Sequence, residues 1–94
     1  MARAFLAEGA NVMLADIETA ALDEAVANLK GAGGQVDSLI CDVADAGAVQ
    51  DAAQRTIERF GNVHILCNNA GVGTGGPLEE VTAASWQWII GVNL

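Results

Sequence analysis

The sequence predicts an α/β fold: a partial doubly wound parallel sheet, about three strands alternating with about four helices, forming one incomplete domain over residues 1–94. Three observations carry this reading. Short apolar runs stop abruptly at Asp16 and Asp42, as strands buried on both faces do where they leave a parallel sheet. The segments between them hold apolar residues at i, i+3, i+4 and i+7, the spacing of a helix with one buried face. The connections are short, and strand–helix–strand alternation closes as parallel neighbours joined by right-handed crossovers.

Met1 to Ala10 reads as the end of a helix, with Ala2, Phe5 and Leu6 on one side and Gly9 as its stop. No capping residue precedes it, so its first turn is expected to lie outside the chain. Asn11 to Ala15 is the first strand. Thr19 is placed to cap the next helix, whose buried stripe is Leu22, Ala25, Val26 and Leu29 and whose end is Gly31. A flexible Gly31-Ala32-Gly33-Gly34 connection leads to the second strand, Val36 to Cys41. Asp45 caps a longer helix with the stripe Val49, Ala52, Ala53, Thr56, Ile57 and Phe60, closed by Gly61. Val63 to Cys67 is the third strand. It leads into Asn68-Asn69-Ala70-Gly71 and a Gly-rich loop through Pro77, and Thr82 opens a last helix bearing Trp86, Ile89, Ile90 and Asn93 along one side. No cap closes that helix at Leu94, so both ends read as cut.

Composition excludes several functions. Four Lys and Arg against twelve Asp and Glu give a net charge of -8, which repels phosphodiester backbones and anionic lipid, so neither nucleic acid nor a membrane surface is an expected partner. A phosphate-bearing cofactor stays open, because backbone N–H groups at a helix N-terminus bind anions without a basic side chain. Cys41 and Cys67 sit in apolar stretches without metal-ligand spacing and read as buried reduced thiols, which suits a cytoplasmic protein. No apolar run is long enough to span a bilayer, and no signal peptide is recognisable.

Ligands of doubly wound sheets sit beyond the carboxyl ends of the strands, which directs attention to residues 16–19, 41–45 and 68–76. Asp16 can accept two hydrogen bonds from the vicinal hydroxyls of an adenosine ribose, and its charge repels a 2′-phosphate. No Arg or Lys lies between Ala15 and Ala21 to receive one, so the local chemistry favours NAD over NADP. Taken alone, Asp16 is as well read as an aspartate that begins a turn. Asp42 can accept from an exocyclic adenine amine, with Val43 packed on the ring. Asn68 and Asn69 supply amides for neighbouring strands and loops, and Ala70-Gly71 lets a ligand approach the backbone.

Asp16 after one strand, Asp42-Val43 after the next, Asn-Asn-Ala-Gly after the third and Val92-Asn93-Leu94 in the following helix together resemble the short-chain dehydrogenases/reductases, over essentially all 94 residues. The resemblance implies a Rossmann-like NAD(P)-binding domain of an oxidoreductase that moves a hydride between a nicotinamide cofactor and an alcohol or carbonyl carbon. It places Asp16, with Ile17 beside it, at the adenosine ribose and Asp42 and Val43 at adenine. Asn69, Ala70 and Gly71 fall on the ribose and phosphate side, with Val92 near the cofactor. Asn93 matches the asparagine of the catalytic tetrad, whose backbone carbonyl positions a water in the proton relay. The full-length parent is implied to be a homo-oligomer acting on a small-molecule alcohol or carbonyl.

The sequence departs from the family's pattern in two places. The family's Gly-x-x-x-Gly-x-Gly turn should precede the first helix and is absent. The Tyr-x-x-x-Lys pair is absent too, since the chain contains no tyrosine, so turnover by these 94 residues alone is not expected. His64 reads as a packed or hydrogen-bonded histidine rather than a base, and Trp86 and Trp88 as packing or oligomer-contact residues. Glu79 and Glu80 read as a solvated pair.

Two other readings stay open on the residues. One is an S-adenosylmethionine-dependent methyltransferase of Rossmann-like fold, which also uses an acid after its second strand. The other is a non-catalytic nucleotide-binding module, which would have to fold alone although a sheet without its first strand predicts marginal stability and self-association.

Overall fold

Two of the apolar runs pair in parallel. In a computed structural model describing residues 1–94, β1 (Val12–Asp16) and β2 (Val36–Ile40) run in register from Val12 opposite Val36 to Asp16 opposite Ile40. The chain divides into two compact units, Met1–His64 and Ile65–Leu94.

The first unit holds α1 (Ala2–Ala7), β1, α2 (Thr19–Leu29), β2 and α3 (Ala46–Phe60). Gly9, with φ 86°, turns the chain out of α1, and Gly61, with φ 85°, does the same after α3. Asp45 caps α3, its Oδ1 accepting from Gly47 N at 2.8 Å and Ala48 N at 3.3 Å. The α2 stripe is as the spacing predicts: Leu22 is buried, and Ala25, Val26 and Leu29 are half-buried. The core consists of Leu6, Leu22, Leu39 and Cys41. Burial of the Cys41 thiol, with Asp42, Asp45 and Asp51 nearby, pushes its pKa up, which keeps it protonated and unreactive.

The structure corrects several expectations here. Thr19 does not cap α2; it is the first helical residue, and the N-cap Glu18 makes no side-chain cap bond. The connection is open at Gly31 but packed, not free, at Gly33 and Gly34. Gly34 N donates to Leu6 O at 2.9 Å, and a Cβ on Gly33 or Gly34 would fall 1.9 Å from Leu6 O or 1.8 Å from Ala10 O. On α3 the half-buried row is Ala48, Ala52, Thr56 and Phe60, while Val49 and Ile57 are exposed. Burial of β1 is incomplete, since Ala15 is exposed.

The third strand does not form. Residues 63–67 have no ladder partner, because the sheet contains β1 and β2 alone, and an apolar extended run without a neighbour is not a strand. Cys67, read as a buried thiol, is exposed as a result, and His64, read as packed or hydrogen-bonded, is exposed too.

The second unit has a 3₁₀ turn at Leu78–Glu80 and α4 (Ala83–Asn93). Thr82 opens α4 as predicted, its Oγ1 accepting from Ser85 N at 3.1 Å. Glu79 and Glu80 are exposed. Ser85, Ile89 and Val92 form the half-buried row of α4, whereas Trp86, Trp88 and Ile90 are exposed.

Candidate functional site

Asp16 is the last residue of β1 and Asp42 follows two residues after the end of β2. Because the strands are adjacent and parallel, both acids leave the sheet at the same carboxyl end. Cys41 N donates to Asp16 O at 3.0 Å and ties the two strand exits together. Both side chains are exposed.

Each acid makes the same local turn. Asp16 Oδ1 accepts from Glu18 N at 3.1 Å, and Asp42 Oδ1 accepts from Ala44 N at 2.9 Å. Each bond fixes the carboxyl plane and leaves Oδ2 without a protein donor. The turn-forming role and a ligand-binding role are therefore compatible: one oxygen orients the group and the other is free to accept from a ligand hydroxyl or amine. Ile17 and Val43 stand beside the two acids as exposed apolar residues, at 64% and 40% exposure, where an aromatic or sugar face could cover them. Two shallow concavities of the surface lie elsewhere, one lined by residues including Leu22, Ser38 and Arg55 and the other by residues including Met13, Asp37 and Arg59. The acids thus lie on open surface at the strand ends.

The remaining predicted residues belong to the second unit. Asn69, Ala70 and Gly71 are exposed loop residues, and Asn69 N donates to Cys67 O at 3.0 Å. The side-chain amides of Asn68 and Asn69 pair with no protein group, contrary to the expectation that they tie strands and loops together. Val92 is half-buried in α4.

Asn93 is held at both ends of its amide. Its Nδ2 donates to Val72 O at 2.8 Å, and its Oδ1 accepts from Val72 N at 2.9 Å. This reciprocal pair fixes the C-terminal turn of α4 to the loop after Gly71, where a Cβ would sit 3.6 Å from Asn93 Oδ1. Sequence reasoning missed Val72, which acts through its backbone alone and so leaves no side-chain signal. It missed Glu18 and Ala44 as N–H donors for a related reason, although an aspartate followed two residues later by a free N–H is the pattern of an Asx turn.

Comparison with known proteins identifies the family. The family described as short chain dehydrogenase matches residues 1–94. The C alpha-dehydrogenase of a Sphingobium species is 38% identical over 94 residues, which cover 99% of this chain and 31% of that protein. A short chain dehydrogenase/reductase from Burkholderia phymatum, solved in complex with NAD, is 44% identical with a TM-score of 0.84, covering 89% of this chain and 30% of the other. An actinorhodin polyketide ketoreductase solved with NADPH is 30% identical with a TM-score of 0.92, covering 99% of this chain and 36% of the other. The chain spans about a third of the length of the curated relatives it matches. Nothing in these likenesses supports the methyl-transferring alternative. With the family matched from Met1 to Leu94 and the paired strand-end acids in place, the chain belongs to the short-chain dehydrogenase family.

Proposed function

We propose that this chain supplies the adenosine-binding side of an oxidoreductase that moves a hydride between a nicotinamide cofactor and an alcohol or carbonyl carbon, with NAD preferred over NADP. The observation that carries the reading is the pair of acids leaving adjacent parallel strands, each with one carboxylate oxygen pinned by a backbone N–H and the other free. A free oxygen on Asp16 suits the vicinal hydroxyls of an adenosine ribose, and a negative charge there opposes a 2′-phosphate. Solved relatives hold either form of the cofactor, so the preference rests on Asp16 and on the absence of Lys or Arg between Ala15 and Ala21.

In this reading Asp16 and Ile17 hold the ribose, and Asp42 and Val43 meet adenine. Asn69, Ala70, Gly71 and Val92 lie along the remainder of the cofactor. Bound there, the cofactor supplies the hydride chemistry. Asn93, its side chain committed to Val72, has its backbone carbonyl left to orient a water for proton transfer. The whole protein acts on a small-molecule alcohol or carbonyl and assembles as a homo-oligomer. No helix is long and apolar enough to cross a membrane, and a cytoplasmic location is our reading. The 94 residues contain no tyrosine to serve as the family's acid/base, so they are expected to produce no NADH from secondary alcohols on their own.

The test is equilibrium dialysis of the chain against NAD, NADP and S-adenosylmethionine. NAD is expected to bind best, and Asp16→Ala to weaken it about tenfold while narrowing its margin over NADP, the loss expected for a hydrogen bond to a charged group. Retention of S-adenosylmethionine without NAD would sink the proposal.

A further inference from the structure

β2 has one partner, so its edge away from β1 is free. Val12 N donates to Gln35 O at 2.8 Å and Cys41 N to Asp16 O at 3.0 Å. Alternate residues of a parallel strand turn their backbone groups to the same side, so Asp37 and Leu39 also face β1, while Val36, Ser38 and Ile40 face the free edge. Ser38 is the middle residue of that edge, yet its N–H is already taken, because Asp37 Oδ1 accepts from it at 2.8 Å.

The guarding carboxylate is itself held. Asp37 Oδ2 accepts from Arg59 Nε at 3.0 Å; Arg59 also reaches Gln35 Oε1 at 3.2 Å and lies over the Phe60 ring at 4.8 Å. A cleft of about 180 Å³ follows this edge, floored by Ser38, Leu39 and Ile40, with Leu22 of α2 and Arg55 of α3 on its walls. Asp37 is the sole charged residue of β2. The free edge of β1 has no such cover: Met13 and Ala15 turn their N–H groups outward and no side chain accepts from them.

We propose that Asp37 guards the sheet edge, its carboxylate occupying the Ser38 N–H and preventing β2 from pairing with β2 of a second copy of this chain. A second copy is the partner excluded because a two-fold axis normal to the sheet lays β2 antiparallel on itself with Ser38 near the centre. Without Asp37 the strand has no Lys, Pro or charge to oppose such pairing.

The experiment uses the 94-residue chain and the variants Asp37→Ala, Asp37→Asn and Arg59→Gln. In the unchanged chain the Ser38 amide is expected to exchange with solvent roughly tenfold more slowly than that of Ile40, which faces the same edge without an acceptor. Asp37→Ala is expected to erase that difference and to give larger species in sedimentation velocity than the unchanged chain. Asp37→Asn keeps the accepting oxygen and Arg59→Gln keeps the carboxylate, so both are expected to sediment as the unchanged chain. Asp37→Ala combined with Ser38→Pro deletes the exposed N–H, at an edge position where proline is tolerated, and restores the original sedimentation. A folded Asp37→Ala chain that sediments as the unchanged one overturns the proposal. So does equal exchange of the Ser38 and Ile40 amides in the unchanged chain, a measurement that decides the matter even if Asp37→Ala fails to fold.

Discussion

Met1–His64 and Ile65–Leu94 carry comparable apolar sequence, yet all four buried core residues, Leu6, Leu22, Leu39 and Cys41, lie in the first unit. There, a two-stranded sheet gives two helices a surface to cover. In the second unit α4 is capped and regular, but Trp86, Trp88 and Ile90 stay 43%, 49% and 49% exposed. Local signals suffice to start and shape a helix; burial requires a partner surface, and for helices most stability comes from that packing. The first unit is therefore where large effects of substitution are expected. The second is where hydrogen bonds and caps decide local order.

The largest effect should follow Gly34→Ala. The new Cβ would lie 1.8 Å from Ala10 O and 2.6 Å from Ala10 C, both backbone atoms that cannot swing aside. A shift of the turn that joins α1 to β1 is then forced, at a cost of about 3 kcal/mol or more. A unit of this size has total stability on the order of 3–10 kcal/mol, so the cooperative melt followed by circular dichroism should broaden or vanish. A Gly34→Ala chain melting as the unchanged one would show that the first unit is looser than its contacts indicate.

Next comes Asn93→Ala, which removes both hydrogen bonds to Val72. Each is worth ~1 kcal/mol at most in an exposed setting. The expected readout is local: the Val72 amide should exchange several-fold faster, and the last turn of α4 should fray. An unchanged Val72 exchange rate would mean that the clamp is not formed in solution.

Features written in local chemistry were legible from sequence. Asp45 and Thr82 as caps, Gly9 and Gly61 as stops, and Leu22, Ala25, Val26 and Leu29 as the inner face of α2 needed only neighbouring residues to specify them. The pairing of Asp16 and Asp42 was legible for the same reason: each ends its own apolar run, and the alternation of elements makes those runs neighbours. Features that depend on distant chain were not. Val63 to Cys67 has the composition of a strand but no ladder to join, and Val49 and Ile57 have the helical spacing of a buried stripe but remain exposed. The packed Gly33-Gly34 turn looked flexible because closeness to Leu6 and Ala10 leaves no pattern in composition. The Asn93 clamp was hidden because its partner is backbone.

A smaller effect is expected for Asp45→Ala, since the cap satisfies two N–H groups at the start of α3 in an exposed position. About 1 kcal/mol should be lost, read as a lower melting temperature of the first unit, while Asp45→Asn or Asp45→Ser should recover most of it. Failure of Asn or Ser to rescue would show that charge near the N-terminus, rather than the cap itself, supports α3.

The smallest effect is a pH dependence, and its sign is set by Asp37. The Ser38 N–H and then Arg59 hold the Asp37 carboxyl below its ordinary value of 3.8. A folded-state pKa below the unfolded one means that the unfolded chain binds the proton more readily, so the stabilisation is complete above the unfolded value and is lost as pH falls through the folded one. At 45% exposure on both Asp37 and Arg59, solvent screening holds the contribution below ~1 kcal/mol. Melting of the unchanged chain and of Asp37→Asn should therefore differ by a constant small amount at neutral pH and converge as the pH falls through the folded-state value of Asp37. Because Asn retains an acceptor for the Ser38 N–H, the difference isolates the charge from the hydrogen bond. A gap that persists undiminished in strong acid would place the effect of Asp37 in packing instead.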